Sequence, residues 1–448
     1  MRSKYFPLAS VLIVTFLSLS SCLNSSTDNV EYSPDAQIYA FSLSSKSDTA
    51  ALLSATKFTI DQVNGKIFNN VPLPYLFDVD SVLLSLRGSS TYTPFSQVML
   101  TLDEDSTYRW QSSDSVAIKR LSMITTTAHD GITKKEYRIE LNIYLEDPYI
   151  LSWQKLDDDY LTATALSQKT ILLNGHLITY YLTPVGIAAV MTDAGNTLAW
   201  STPNLVGLPL TTDPTTVTAT DEGLFALDTS GNTVYHSADG ITWHAVSSGL
   251  HVKAIYGTLP STEEGKLLLA VEQDESLRFA VTNDFSEVVM MNNLPEQFPL
   301  SGFSAVQVDD PASYSIKHLL LAGGNAADNT LSNRIWILQQ KEGVISWILS
   351  RIPESLTIEG SSLFYYDNKP YLMAASAEKN TLYFSENYGL DWVQTGTNQA
   401  FPAEFQLRTN ASISTDSEHN IWVFGGISAQ QTQLVDVWRG RLNKYSGM

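Results

Sequence analysis

Apolar and polar positions alternate along much of this chain, and they rarely recur at helical spacing. Gln37–Leu43, Lys57–Ile60, Lys66–Phe68 and Tyr137–Leu145 each read as a strand on a two-residue period. No stretch sustains a 3.6-residue apolar period, although Asp48–Ala55 has room for one helical turn or two. Asn64-Gly65 lies between two strand-like runs and predicts a hairpin with positive φ at both turn positions. Asp130-Gly131 predicts another turn, after which Tyr137, Ile139, Leu141, Ile143 and Leu145 fall on one face of a long strand. Pro72 and Pro74 suit a bend or an edge strand. Glu146-Asp147-Pro148 ends the pattern, so a β-sandwich is expected over residues 32–148.

Beyond it the strands come in units. Tryptophan closes a β-rich stretch at Trp200, Trp243, Trp347 and Trp392, at intervals of 43, 104 and 45 residues. The long interval contains Thr282–Met290, whose equivalent position near Val288 lacks its tryptophan. A unit of roughly 45 residues is what a four-stranded propeller blade requires. Trp336 and Trp347 fall on the third and fourth strands of one unit. Trp438 takes the third-strand place in the last, yet the chain stops ten residues later. Tyr149–Leu156 precedes the first complete unit and supplies the strand that the last one lacks. The expected architecture is therefore all-β. An N-terminal sandwich is followed by a six-bladed β-propeller over 149–448, its last blade closed by an N-terminal strand that covers an otherwise open edge.

The first residues are of another kind. Arg2 and Lys4 precede a nearly wholly apolar run, Tyr5–Leu19, and then Leu19-Ser-Ser-Cys22. Basic, apolar, small-residue order marks a secretory signal, and the run is shorter than the roughly 20 residues of a spanning helix. The last four residues match a bacterial lipobox, so this start resembles a lipoprotein signal peptide. The resemblance implies that residues 1–21 are removed, that Cys22 is acylated, and that 22–31 form a polar tether. An uncut anchor helix or a buried thiol are the alternatives. Cys22 is the one cysteine of the chain, which excludes an intrachain disulfide.

Two further resemblances concern the folded part. The stretch from His129-Asp-Gly to Leu145 is similar to the final hairpin of bacterial immunoglobulin-like modules, which implies a spacer or docking domain. Ser237-Ala-Asp239-Gly240-Ile-Thr242-Trp243 and Ser385-Glu-Asn387-Tyr-Gly389-Leu-Asp391-Trp392 resemble the Asp-box, with Thr192–Trp200 a looser copy. That motif implies a folded turn and no chemistry. His318–Gly324 before Trp336, and Asn420–Gly426 before Trp438, resemble kelch repeats: an apolar strand ends at a glycine pair where side chains would crowd. Taken together, these features resemble Bacteroidota surface lipoproteins that carry an immunoglobulin-like domain and a kelch/Asp-box propeller. The resemblance implies an envelope location and no particular activity.

Composition narrows the chemistry. Of 448 residues, 27 are basic and 47 acidic, a net charge of −20, which disfavours nucleic acid because each phosphate contact needs a cation. Asp-box propellers include sialidases, which grip a carboxylate with three arginines. Ser350-Arg351-Ile352-Pro353 resembles their arginine motif, but it falls in the fourth unit as a strand leaves its blade. Residues 149–277 contain no arginine. The seven histidines show no ligand pairing, and no nucleophile elbow, zinc motif or phosphate loop is present. Asp103-Glu-Asp105 and Asp157-Asp-Asp159 read as solvated turns more readily than as calcium ligands.

The expectation is therefore a lipid-anchored, non-catalytic binding or scaffold protein of the outer membrane, with no cofactor and no metal. Its ligand is a neutral glycan, stacked on loop aromatics such as Tyr365, Tyr366 and Tyr388, or an envelope protein. A diverged sialidase-like hydrolase is the third reading.

Overall fold

The computed structural model describes residues 32–89, 95–103, 106–195, 197–228, 233–246, 249–260, 266–309 and 317–445. Cys22, the expected signal segment and tether, and residues 104–105 of the first acidic run lie outside them. The chain divides into two compact units, one ending at Glu146 and the other beginning at Asp147. Both are built almost wholly of strands.

In the first unit, a three-stranded sheet (Ala40–Ser44, Ser81–Arg87, Ser115–Ala117) and a six-stranded sheet bury one core between them. Phe41, Leu43, Val82 and Leu84 come from the smaller sheet; Ile67, Leu100, Ile124 and Tyr137 come from the larger. The helical allowance at 48–55 is a single turn, Leu52–Ala55, started by Asp48, whose Oδ2 accepts the Leu53 N–H at 2.6 Å.

Three details differ from the sequence reading. Gly65 is at φ +62°, but the loop holds four residues, because Asp61 Oδ1 accepts the N–H groups of Val63 and Asn64 at 2.9 and 3.0 Å and takes over the turn. Lys66–Asn69 then pairs in parallel with Lys134–Glu140, a contact that hairpin signals do not reveal. The long strand stops at Glu140. There the buried Asn69 exchanges side-chain bonds with Asn142 (Asn142 N to Asn69 Oδ1, 2.8 Å), the ladder ends, and Leu145 is left 92% exposed.

The second unit contains, among the described residues, six sheets of three or four strands and one two-stranded ribbon. Sheet one is Ser167–Leu173, His176–Thr183 and Gly186–Asp193, and its fourth place holds only a bridge from Met191 to Ser201. Sheet two is Thr218–Thr220, Gly223–Asp228, Thr233–Ser237 and His244–Ala245. Sheet three is His251–Leu259, Lys266–Gln273, Ser276–Thr282 and Val288–Asn293. Sheet four is Ser301–Asp309, Lys317–Asn325, Ile335–Lys341 and Val344–Leu349. Sheet five is Ser362–Tyr366, Lys369–Ala375, Asn380–Phe384 and Val393–Gln394. In sheet six, Ser412–Thr415, Ile421–Phe424 and Val437–Leu442 are joined by Leu151–Asp157 from the start of the unit.

The first strand of each sheet touches that of the next, and the first strand of sheet six returns to that of sheet one. Serine hydroxyls tie these inner strands together. Ser412 Oγ accepts the Thr170 N–H at 2.9 Å, and Ser304 Oγ accepts that of Leu363 at 2.8 Å. Between the sheets lie separate apolar layers, such as the one that joins Ile178 and Tyr180 of sheet one to Leu224, Ala226 and Trp243.

Leu151–Asp157 pairs antiparallel with Val437–Leu442, Trp153 standing opposite Gly440 and Lys155 opposite Trp438. A Cβ on Gly440 would lie 2.6 Å from the Trp153 ring, so glycine is what allows the indole to lie flat on the neighbouring strand. The other indole face meets Phe401, with centroids 4.6 Å apart. Beyond the strand, Asn443 and Lys444 donate their N–H groups to the carbonyls of Ile150 and Pro148 at 3.0 and 3.1 Å.

The tryptophans do not all do the same thing. Trp243 and Trp392 are buried between sheets, and Trp200 packs between the last and first sheets against Tyr160 and Phe424. Trp347 sits on an outer strand and is 38% exposed, whereas Trp336 on the strand beside it is buried.

Candidate functional site

The Asp-box-like segments form turns tied by side chains. Asp239 Oδ1 accepts the N–H groups of Ile241 and Thr242 at 2.8 and 2.7 Å, and Ser237 Oγ accepts that of Gly240 at 2.9 Å. The Thr242 N–H, more than any other contact, holds the Asp239 carboxyl down to about 2. In the second copy, Asn387 Oδ1 accepts the Asp391 N–H at 2.8 Å and Ser385 Oγ that of Gly389, also at 2.8 Å.

A third turn of this kind was hidden in the sequence. Thr282 Oγ1 accepts the Phe285 N–H at 2.8 Å, and Asp284 Oδ1 that of Ser286 at 2.9 Å, although neither the glycine nor the tryptophan is present. Phe285 takes the positive φ instead, at +65°. The surviving sequence signal was the hydroxyl–carboxylate pair two residues apart. In Thr192–Trp200 the carboxylate goes elsewhere, Asp193 Oδ1 lying 2.7 Å from His176 Nδ1.

The glycine pairs sit at positive φ, +66° and +91° for Gly323 and Gly324, +53° and +100° for Gly425 and Gly426. Crowding by backbone also bars side chains there: a Cβ on Gly324 would lie 2.7 Å from Ser301 O, and one on Gly426 2.8 Å from Thr409 O. Beside the second pair is the most buried charged cluster among the described residues. Arg408, 1% exposed, makes two bonds to Asp436 (Nη1 to Oδ1 2.6 Å, Nη2 to Oδ2 2.9 Å) and donates to Gly425 O at 2.9 Å. Its guanidinium lies 4.2 Å from the Phe405 ring centroid. Asp436 Oδ2 also accepts from Trp438 Nε1 at 2.8 Å. Burial alone pushes the Asp436 carboxyl up, but the hydrogen bonds and charge of Arg408 outweigh it and leave it below its ordinary value.

The other arginines of this unit are also engaged locally. Arg278 donates to Met291 O at 2.8 Å, and Arg441 to Tyr445 O at 2.5 Å. Arg439 donates to Gln154 Oε1 at 3.0 Å, and Arg351 forms a two-pronged exposed pair with Asp391. Arg334 lies over Trp336, its guanidinium carbon 5.9 Å from the ring centroid. Among the described residues no three of these arginines share a partner. The six innermost strands carry one carboxylate, Asp309, and it faces Lys317 at 3.3 Å. Lys169, on the innermost strand of sheet one, is pushed down to about 8 by burial, against the pull of Asp213, and donates to Thr215 O at 3.0 Å.

Of the tyrosines named for sugar stacking, Tyr365 and Tyr366 are sheet residues, and Tyr388 lies in the turn of the second Asp-box-like segment at φ +59°. Tyr366 is buried, accepts the Leu442 N–H at 3.1 Å and donates to His419 O at 2.9 Å, so its face is not offered to a ligand. Tyr365 and Tyr388 pack against the layer between sheets four and five. His318 is pushed down by burial, and its Nε2 lies 2.7 Å from Tyr388 O, so Nε2 carries the proton. In the second acidic run, Asp157 Oδ2 accepts from Trp200 Nε1 at 2.9 Å and Oδ1 from the Asp159 N–H at 3.1 Å, which makes the run a structural turn. Among the described residues no group of three metal-ligating side chains comes together.

Two clefts, of about 320 and 330 Å³, flank the turn between the first two strands of sheet two and share Thr220, Asp221 and Glu222. No sequence signal pointed to that turn.

No curated protein matches the chain. Among solved structures, that of YjhT aligns over 62% of this chain and 95% of its own at 10% identity, with a TM-score of 0.45. A catalytically inactive virginiamycin B lyase from Staphylococcus aureus with quinupristin aligns over 78% of this chain and 97% of its own at 11% identity, with a TM-score of 0.37. Neither likeness is close enough to carry an argument here. Family models are more direct: residues 27–141 match the DUF6242 N-terminal domain, a domain of unknown function, and residues 147–447 match the DUF6242 beta propeller domain. The second match alone covers more than half of the chain, and the protein belongs to the DUF6242 family, a β-propeller preceded by its own N-terminal β domain.

Proposed function

We propose that this protein is a lipid-anchored, non-catalytic docking subunit of a bacterial outer membrane. An immunoglobulin-like spacer links the acylated Cys22 to a six-bladed ring that binds an envelope protein. The observation that carries the non-catalytic reading is where the ring's charged groups go. Arg408 and Asp436 neutralise each other in the core, Asp239 and Asn387 tie turns, and Asp309 is the one carboxylate on the innermost strands. Glycosidase chemistry of the usual kind needs two carboxyl groups facing one site, roughly 5–10 Å apart, and the described innermost strands carry only one.

Six blades and closure by the early strand are supported by the circuit of inner-strand contacts and by the Trp153–Gly440 register. The tied turns at Asp239, Asn387 and Asp284 support an Asp-box relationship. The acid-rich composition disfavours anionic ligands and leaves a neutral glycan as the second ligand class, but packing of Tyr366 removes one aromatic on which that reading stood.

Replacing Cys22 tests the anchor. Cys22→Ser is expected to abolish incorporation of labelled palmitate and to move the protein out of the membrane fraction. Retention of label by that variant overturns the lipid attachment. Cross-linking in intact membranes tests docking: a stoichiometric partner is expected, and its absence together with binding to a neutral-glycan array favours the glycan reading.

A further inference from the structure

Propeller blades end in an outer strand whose far edge faces water, and such edges are ordinarily blunted by shortness, charge or cover. Four of the six sheets follow this rule. Sheets two and five end in strands of two residues, and sheet one has only a bridge in that place. The outer strand of sheet six carries Lys155; that of sheet three is also six residues without a charge, but exposes only Val289 among its large apolar side chains. Sheet four differs. Val344–Leu349 reads Val-Ile-Ser-Trp-Ile-Leu, six residues without a charge, and Val344, Trp347, Ile348 and Leu349 are all exposed.

Its edge is open only in the middle. Val344, Ser346 and Ile348 face the neighbouring strand in register with Lys341, Gln339 and Ile337, so the backbone groups of Ile345, Trp347 and Leu349 point outward. At one end Asn292 covers Ile345, its Oδ1 accepting the Ile345 N–H at 2.8 Å and its Nδ2 donating to Ile345 O at 3.0 Å. At the other end the Arg351 N–H donates to Leu390 O at 2.8 Å. Between these stops lie the N–H and C=O groups of Trp347 and Leu349, flanked by apolar side chains on both faces.

We infer that this slot is a strand-addition site, in which one short extended segment of a partner protein pairs with Trp347 and Leu349. The inference rests on the docking reading above and gives that reading its surface. A second copy is the wrong shape, because reciprocal pairing brings a whole sheet edge into a gap closed by Asn292 and Leu390. It is also the wrong sign. From residue 149 onward 15 basic side chains stand against 31 acidic ones, a net of −16, so two such units repel. The occupant is therefore an apolar strand with basic residues at its ends: side chains cover Trp347 and Ile348, main-chain bonds fix the register, and the flanking cations meet the acidic field.

The test uses the full chain and a synthetic ten-residue peptide of alternating threonine and valine with two lysines at each end. A glutamate-ended counterpart and a proline-interrupted counterpart serve as controls. The lysine-ended peptide is expected to bind, to protect the Trp347 and Leu349 amides from hydrogen exchange, and to bind on the order of ten-fold more weakly to Ile348→Lys, which restores a gatekeeping charge on an exposed side chain. The two controls are expected not to bind. No binding, equal binding to the variant, or binding that leaves those amides exchanging as before overturns the site. Self-association that Ile348→Lys dissolves also overturns it, because the slot then belongs to a second copy. A cross-linked envelope partner that the variant retains removes the slot and leaves the docking reading standing; loss of any partner from both proteins removes the docking reading itself.

Discussion

Replacing Asp436 by alanine isolates the charge balance in the last sheet. The substitution removes two bonds to Arg408, at 2.6 and 2.9 Å, and the acceptor of Trp438 Nε1. The guanidinium then keeps Gly425 O, Gln406 O and the Phe405 ring in a site where it is 1% exposed. Breaking one half of a buried pair leaves an uncompensated charge and costs roughly 3–5 kcal/mol. At roughly 2 °C per kcal/mol for a unit of this size, the ring is expected to melt about 6–10 °C lower. Thermal unfolding followed by tryptophan fluorescence reads this directly, Trp438 being part of the cluster.

Arg408→Leu combined with Asp436→Leu removes both charges and is expected to cost less than the sum of the single changes. The pH dependence has a defined sign. The folded Asp436 pKa is held below the ordinary 3.8, so its contribution is present above about pH 4 and is lost as pH falls through the lower folded value. Asp436→Ala is expected to lose that part of the acid sensitivity. A single variant within about 1 kcal/mol of the parent, or a double variant that costs the full sum, refutes the claim that the two groups support each other.

Other outcomes follow from equally local features. Gly240→Val forces a side chain into φ +79° with its Cβ 2.4 Å from Ile178 Cδ1, and is expected to lower the melting temperature of the ring. Asp239→Ala is expected to cost about 1 kcal/mol, and the stabilisation from Asp239, present above about pH 4, to disappear by about pH 2, as an acid titration of the parent and variant can show. Gly440→Leu collides with the Trp153 ring and is expected to speed hydrogen exchange at the amides of Val437–Leu442; unchanged exchange there counts against closure by the early strand. Tyr366→Phe removes the acceptor of the Leu442 N–H and is expected to lower stability by about 1 kcal/mol, with no effect on glycan-array binding.

How far the fold was legible depends on the range of the interaction. Asp-Gly turns could be read directly, because positive φ and local side-chain bonds involve residues a few positions apart, whereas the strand read as ending at Gly323-Gly324 runs on to Asn325. The pairing of Trp153's strand with Trp438's could be read because a missing outer strand and a surplus one were both visible by counting. Spacing alone overstated the tryptophan rule. Trp336 and Trp347 lie on adjacent strands, and which indole is buried depends on the neighbouring sheet. Likewise Tyr365 and Tyr366 could be loop or strand residues until the register of sheet five fixed them, whereas Tyr388 stayed in a turn.

The sequence by itself determined the all-β class, the repeating unit and the turns held by their own side chains, since each depends on short-range geometry or on periodicity. Only the tertiary structure decided that Arg408 meets Asp436, that Lys66–Asn69 runs parallel to Lys134–Glu140, and that the edge of Val344–Leu349 is open between two stops. Those contacts join residues far apart in the chain, and no local pattern records a partner that the fold brings in from elsewhere.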